Sequence, residues 1–404
     1  MGLGILLTIA ALIDAFRPGP LNQKLSIERE LPGSLGLGVN CKARAVLHNQ
    51  LPRELTLILA EAPSDKLNIK QLPVKLRLKP NQKSEVLYSV IPTDRGVETL
   101  QEFIVRVDSP WLLWQHKIRI GNHSTVKIYP NFSPIAHIAA LGVEQHVRQL
   151  GIHLSQRRGE GMEFKQLREF IEGDALRQID WKTTARQRKP ISREYQDERN
   201  QEIFFLLDCG RRLRHKDGEL SHFDHALNAI LLTAYIAIRQ GDSAGFASFA
   251  GQERWLSPVK GSMGVNRLLN LLFDLQSTLE NSDFLQVAEK FQARHRRRSL
   301  VIIVSNIREE DSEDLIKATR LLSKSHVVMV ASLREHLLDE TLNRPATNFS
   351  DSLAYAATHQ FMAERQQVLH KLVNAGVVVV DSLPEQLHIR LVNEYFRLKR
   401  SHRL

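Results

Sequence analysis

Two cysteines, Cys41 and Cys209, are too few and too far apart in the sequence for a disulfide framework or a cysteine-based zinc site. That scarcity points to a reducing compartment. Aromatic residues make up only 6% of the chain, and none interleaves with the basic clusters at 211–216, 294–298 and 397–400. The stacking platform of a nucleic-acid binder is therefore missing, and nucleic acid is the disfavoured use of a formal charge of +10. An anionic membrane surface or an acidic protein suits that charge equally well. There is no Gly-Lys-Ser/Thr phosphate loop, no Gly-x-Ser-x-Gly elbow and no His-Glu-x-x-His. Gly33, Gly36 and Gly38 precede a strand rather than a helix, outside the context of a phosphate cradle. No catalytic residues and no cofactor are expected, and the chain itself should not hydrolyse ATP.

Long apolar runs are scarce too. Gly2 to Phe16 carries one charge, Asp14, before Arg17 and a Pro-Gly-Pro break, whereas a spanning helix needs about 20 apolar residues. The run lacks the basic start and small-residue cleavage site of a secretion signal. It reads as a membrane-anchor segment over 1–20 that reaches lipid, with packing on the next domain as the alternative. Arg17, Lys24 and Arg29 then place the bulk of the chain on the cytoplasmic side of an inner membrane.

Over 21–130, short alternating runs recur between Pro, Gly and Asn: Lys24–Glu30, Cys41–His48, Glu54–Ala60, Val74–Leu78, Glu85–Ile91, Glu102–Val107 and Thr125–Tyr129. This spacing predicts an immunoglobulin-like β-sandwich. Trp111 and Trp114 read either as core or as a loop facing membrane or partner. Residues 131–156 read as a helical linker, with apolar positions near helical spacing from Ile135 to Leu154.

The domain at 201–404 changes character. Continuous apolar runs at Ile203–Leu207, Ala244–Phe249, Leu300–Val304, Val327–Ala331 and Val377–Val380 suit strands covered on both faces, with helices between them. Helices fit His222–Gln240, Gly264–Leu275, Glu310–Lys324, Gln360–Asn374 and Pro384–Arg400, the first opened by a capping box of Ser221 and Asp224. The whole is an α/β doubly wound domain. His222 and His225, beside Asp224, read as capping and surface polarity before they read as metal ligands.

The most informative segment is 157–200. It carries Gly161-x-Glu163-Phe164, Leu167-Arg168-Glu169-Phe170, Gly173-Asp174, Arg177-x-Ile179-Asp180-Trp181-Lys182, Ala185-Arg186, Arg193-Glu194-Tyr195 and Glu198. This order resembles the signature of domain-of-unknown-function family number fifty-eight. The resemblance extends to the layout of apolar segment, β-sandwich, signature and von Willebrand factor A-like domain. It implies a membrane-anchored bacterial protein, usually with two membrane helices, that accompanies a MoxR-type AAA+ ATPase. A non-enzymatic, chaperone-like assembly protein follows, helping to mature or insert cofactors into an unknown client complex.

One departure from the von Willebrand pattern matters. Its metal-ion-dependent adhesion site needs Asp-x-Ser-x-Ser, because a carboxylate and two hydroxyls supply hard oxygens to Mg²⁺. This chain has Asp208-Cys209-Gly210-Arg211-Arg212, so no metal is expected there. A divalent-metal-dependent adhesion protein anchored at Asp208 stands as the alternative function.

Within the signature, an Asp174 cap would put Arg177 and Asp180 on one helix face as alternating ion pairs, with Trp181 docked inward near Ala185. Arg168, Arg177 and Arg186 would then bind a partner's phosphate or carboxylate, or simply fasten the segment to the sheet. Arg211, Arg212 and Arg214 follow the first strand of the α/β domain, at the rim where such sheets bind ligands, so an acidic partner is expected at that rim.

Overall fold

The computed structural model describes residues 9, 11–14, 21–131, 163–171, 176–196, 200–218, 220–401 and 404. The chain forms two units, Met1–Asn131 and Phe132–Leu404.

After a short helix α1 (Leu21–Lys24), the first unit is built of strands: β1 (Leu25–Glu30), β2 (Ser34–Gly36), β3 (Cys41–Asn49), β4 (Leu55–Ala60), β5 (Leu67–Lys70), β6 (Val74–Leu78), β7 (Lys83–Pro92), β8 (Gly96–Leu100), β9 (Phe103–Asp108), β10 (Gln115–Ile120) and β11 (Ser124–Tyr129). They make two four-stranded sheets, β1-β3-β7-β5 and β10-β9-β4-β6, and a three-stranded sheet, β2-β11-β8. Period-two patterning gives each strand one inward face. Ala43, Ala45 and Leu47 of β3, Leu55, Leu57 and Leu59 of β4, and Phe103, Val105 and Val107 of β9 are all buried. Every run read as a strand forms one here, within two residues at either end; β2, β5, β8 and β10 add to them. The additions are short or carry charge at alternate positions, as in Gln-His-Lys-Ile-Arg-Ile of β10, which weakens their apolar signal.

The second unit begins, among the described residues, with a two-stranded hairpin of β12 (Glu163–Glu169) and β13 (Ile191–Gln196), with helix α2 (Trp181–Gln187) between them. The α/β sheet follows: β14 (Glu202–Asp208), a small hairpin of β15 (Lys216–Asp217) and β16 (Leu220–Ser221), α3 (His222–Arg239), β17 (Ser243–Phe249), β18 (Trp255–Val259), α4 (Gly261–Leu272), α5 (Phe284–Arg294), β19 (Leu300–Ser305), α6 (Ser312–Leu322), β20 (Val327–Leu333), α7 (His336–Asn343), α8 (Phe349–Asn374), β21 (Val378–Ser382) and α9 (Leu387–Arg400). Strand order is β18-β17-β14-β19-β20-β21, parallel except for the antiparallel edge strand β18.

Both faces are covered, which is why the strands read as unbroken apolar runs. Ile203, Phe205 and Leu207 of β14 pack beneath α3, α4 and α9, while Phe204 and Leu206 face α5, α6 and α8. Each such fully buried large side chain contributes about 1.5–3 kcal/mol. Helix α3 opens with the expected capping box: the Ser221 hydroxyl accepts from the Asp224 amide, and the Asp224 carboxylate accepts from the Ser221 amide.

The expected linker helix at 135–154 lies outside the described residues, as does most of the expected membrane segment. Among the described residues, no helix is long and apolar enough to cross a membrane.

Candidate functional site

Three places concentrate the residues singled out from sequence. The signature folds as a hairpin crossed by a helix, not as the continuous charged helix face expected. Gly173 and Asp174 lie outside the described residues, and for Glu163, Phe164, Arg177, Glu194 and Tyr195 only the backbone is described. Phe164 pairs with Tyr195, and Gln166 with Glu194, across the ladder. Asp180 is the N-cap of α2, its carboxylate accepting from the Thr183 amide at 2.9 Å, because a free helix terminus needs an acceptor. Its other oxygen meets Arg193 Nε at 2.9 Å. The Thr183 amide first, then the Arg193 guanidinium, hold the Asp180 carboxyl below its usual range. Glu169 pairs with Lys189 at 3.2 Å. These contacts join parts of the same segment.

Trp181 corrects the expectation of inward docking. It is 69% exposed, Leu176 is 71% and Ile171 is 61% exposed, and α2 buries none of its residues. The cause is local: Asp180 turns the chain into α2 through its cap, and the short helix is secured by polar contacts with β13 rather than by an apolar stripe. Ala185 and Arg186 are exposed as well, and Arg168 is half-buried.

The second place is the carboxyl end of the sheet. Strand order reverses direction at β14, so the crevice of this topology opens beyond the ends of β14 and β19. There Asp208 is fully buried, and three donors engage its carboxylate: the Gly210 amide at 2.8 Å, Ser282 Oγ at 2.7 Å and Ser305 Oγ at 2.5 Å. Two hydroxyls thus converge on Asp208 from segments far along the chain, a feature its own strand did not reveal. Gly210 is required for this closure, since a Cβ there would stand 2.8 Å from both the Glu280 carbonyl and the Ser282 hydroxyl.

The arginine rim is already neutralised in part. Arg212 forms an ion pair with Asp311 and lies 3.4 Å from Glu310, which Arg211 also approaches at 3.8 Å. Burial pushes the Arg212 guanidinium down from its ordinary value, against the pull of Glu310. Arg214 is exposed. At this rim Arg211 and Arg212 thus face acidic groups of the chain's own 3₁₀ turn, Glu309–Asp311. Deeper still, Arg365 is buried and ties strand ends together, donating to the Ile307 carbonyl, Ser332 Oγ, the Leu333 carbonyl and Asp381. Nothing in the sequence signalled a buried arginine in the middle of a long helix.

The third place is in the first unit. The loop after β9 exposes Trp111, Leu112, Leu113 and Trp114, so these tryptophans are not core. The loop is held by Asp14, whose buried carboxylate accepts from Ser109 Oγ at 2.5 Å, the Trp111 amide at 3.0 Å and the Leu113 amide at 3.3 Å. Trp114 Nε1 donates to the Ala11 carbonyl at 2.8 Å. Ile9, Leu12 and Ile13 are half-exposed alongside. The single charge in the N-terminal apolar run is therefore the peg that fastens it to an exposed aromatic loop.

The family model described as "Protein of unknown function DUF58" matches residues 166–347. No curated protein matches the chain. Among solved structures, an aerotolerance-related membrane protein from Bacteroides fragilis is 14% identical, with 50% of this chain and 100% of that one covered, at a TM-score of 0.30. The CARDB domain of the PF1109 protein from Pyrococcus furiosus is 11% identical, covering 26% of this chain and 86% of that one, at a TM-score of 0.18. With scores this low, the fold rests on the sheet topology described above.

Proposed function

We propose that this protein is a non-enzymatic, membrane-associated binding and assembly module that works with a MoxR-type AAA+ ATPase to mature, or insert cofactors into, another complex. The observation that carries the binding half is the exposure of Ile171, Leu176 and Trp181 within the signature. Large apolar side chains on a segment fixed by its own ion pairs are poor for stability and good for recognition, since aromatic anchors dominate protein interfaces. The ATPase and the client come from the family resemblance. Placement at an inner membrane rests on the apolar N-terminal run, pegged to a loop whose two tryptophans suit the lipid interface. In this reading the first unit is an immunoglobulin-like sandwich, and the α/β sheet, with its antiparallel edge strand, is von Willebrand factor A-like.

The test is affinity purification of the tagged full chain from detergent-solubilised membranes with ATP present. An AAA+ ATPase should accompany the wild type, and much less of it the Leu176→Ser, Trp181→Ser double variant. Recovery of the wild type alone from the soluble fraction would sink both the membrane and the ATPase halves of the proposal.

A further inference from the structure

The β15–β16 hairpin gathers three side chains that the sequence spreads over eight positions. Gly218, with a φ of 73°, makes the turn, and the His222 amide donates to the His215 carbonyl at 2.8 Å to close the base. His215 and His222 thereby flank Asp217. Nε2 of His222 lies 2.8 Å from Asp217 Oδ2, and Nε2 of His215 lies 3.3 Å from Asp217 Oδ1. All three candidate ligand atoms fall within 4.8 Å of one another. His222 is fully buried, and its Nδ1 has no hydrogen-bond partner among the described residues.

We propose that His215, Asp217 and His222 form a binding site for one divalent transition-metal ion of the zinc class. Three lines of physical argument converge on that class of ligand. Tetrahedral ligands on bonds of about 2.0–2.1 Å stand roughly 3.3 Å apart, and the two His–Asp separations of 2.8 and 3.3 Å lie near that value, with all three ligand atoms inside 4.8 Å. Two imidazoles with one carboxylate suit zinc, cobalt or nickel, whereas Mg²⁺ and Ca²⁺ favour all-oxygen sets. Finally, His222 is fully buried and its Nε2 is held 2.8 Å from Asp217, so an imidazole nitrogen, the donor that ions of the zinc class favour, is fixed in place beside the carboxylate.

The surroundings support the site. The backbone amide of His336, at the start of α7, donates to Asp217 Oδ2 at 3.2 Å and orients the carboxylate from outside the trio, as partners of metal ligands commonly do. His215 is 44% exposed, so the remaining coordination position faces solvent, where water or a carboxylate from a docked protein completes it. The site is separate from Asp208, whose oxygens are already engaged by Gly210, Ser282 and Ser305.

The test uses the full chain with its affinity tag removed, stripped of metal by chelator and titrated with Co²⁺ and then Zn²⁺. The expected result is one equivalent bound, with the visible absorption of four- or five-coordinate Co²⁺, and a higher Tm in Zn²⁺. His215→Ala removes an exposed ligand without disturbing the core, and Asp217→Asn keeps the shape of the carboxylate. Each should weaken Co²⁺ binding by at least about tenfold while leaving the Tm in chelator near the wild-type value. Asp208→Ala should leave the Co²⁺ affinity unchanged. The proposal is overturned if the wild type shows no saturable binding, if both ligand variants bind as tightly as the wild type, or if Asp208→Ala abolishes the Co²⁺ signal.

Discussion

The six-stranded sheet and the signature hairpin lie in the same unit and obey opposite rules. Strands β14, β17 and β19 bury almost every residue they have, their polar members included, and the buried Asp208, Ser305 and both terminal nitrogens of Arg365 have partners. The hairpin with α2 turns Leu167, Ile171, Leu176 and Trp181 to solvent and relies on Asp180, Arg193, Glu169 and Lys189 for its local contacts. One region spends its apolar residues on stability, and the other leaves them unspent. Among the described side chains of the signature, Leu167, Trp181, Ala185 and Arg186 are exposed, so a recurring pattern of this kind is not by itself evidence of core packing.

The comparison breaks most sharply at Arg365. Its side chain is 1% exposed and holds the ends of β19, β20 and β21 through five acceptors: Asn306, Ile307, Ser332, Leu333 and Asp381. Arg365→Ala strands those acceptors in a dry interior, so a loss of about 3–5 kcal/mol in unfolding free energy is expected, read from urea denaturation of the full chain. A loss below about 1 kcal/mol would show that water replaces the guanidinium and that the rim is open to solvent.

Asp208 comes next. Removing its carboxylate leaves Ser282, Ser305 and the Gly210 amide without their shared acceptor, which should cost about 1–3 kcal/mol. Calorimetry with Mg²⁺ and Mn²⁺ separates this structural role from the adhesion alternative. A wild-type one-site isotherm for Mg²⁺, lost in Asp208→Ala, would revive the adhesion reading.

A smaller effect comes from the opposite end of the sheet. Burial and the neighbouring His295 push His326 down to about 4, from an ordinary value of 6.5. The unfolded chain therefore takes up this proton first as the pH falls. Stability contributed by neutral His326 is complete above about pH 6.5 and lost progressively towards pH 4. Replacing His326 with Phe should flatten that part of the profile of Tm against pH; an unchanged slope would mean that His326 is not the group responsible.

How much of this was legible follows from the same contrast. The apolar runs of β14, β17, β19, β20 and β21 announce themselves because burial on both faces removes every polar position, and the Ser221–Asp224 capping box is a purely local device. Helices α5 and α7 went unread, being short and only partly apolar, and α8 begins 11 residues before the expected Gln360 because its exposed first turns, from Phe349 onward, carry no core-facing stripe. The signature was legible as a pattern but not as a shape. Its strands are set by backbone register and its helix by one cap, so apolar periodicity gives no sign of either. The grouping of His215 and Asp217 with His222 went unread for a related reason: the tight turn at Gly218 brings them together, whereas sequence spacing sets only His222 and His225 side by side, where they read as capping and surface polarity.

The smallest expected effect on stability is at Trp181, and its smallness is what makes it informative. An exposed tryptophan with no buried neighbours on α2 contributes little to the folded state, so Trp181→Ser should change the unfolding free energy by no more than about 0.5 kcal/mol. Burying that same ring in an interface removes up to about 250 Å² from water and commonly costs 2 kcal/mol or more when truncated, at least a thirtyfold loss of affinity. A large drop in stability would mean that the indole packs inward, as sequence reasoning first placed it, and would return the signature to a structural role. An unchanged Tm with lost ATPase capture would instead show a family signature that marks a binding surface while the sheet supplies the stability.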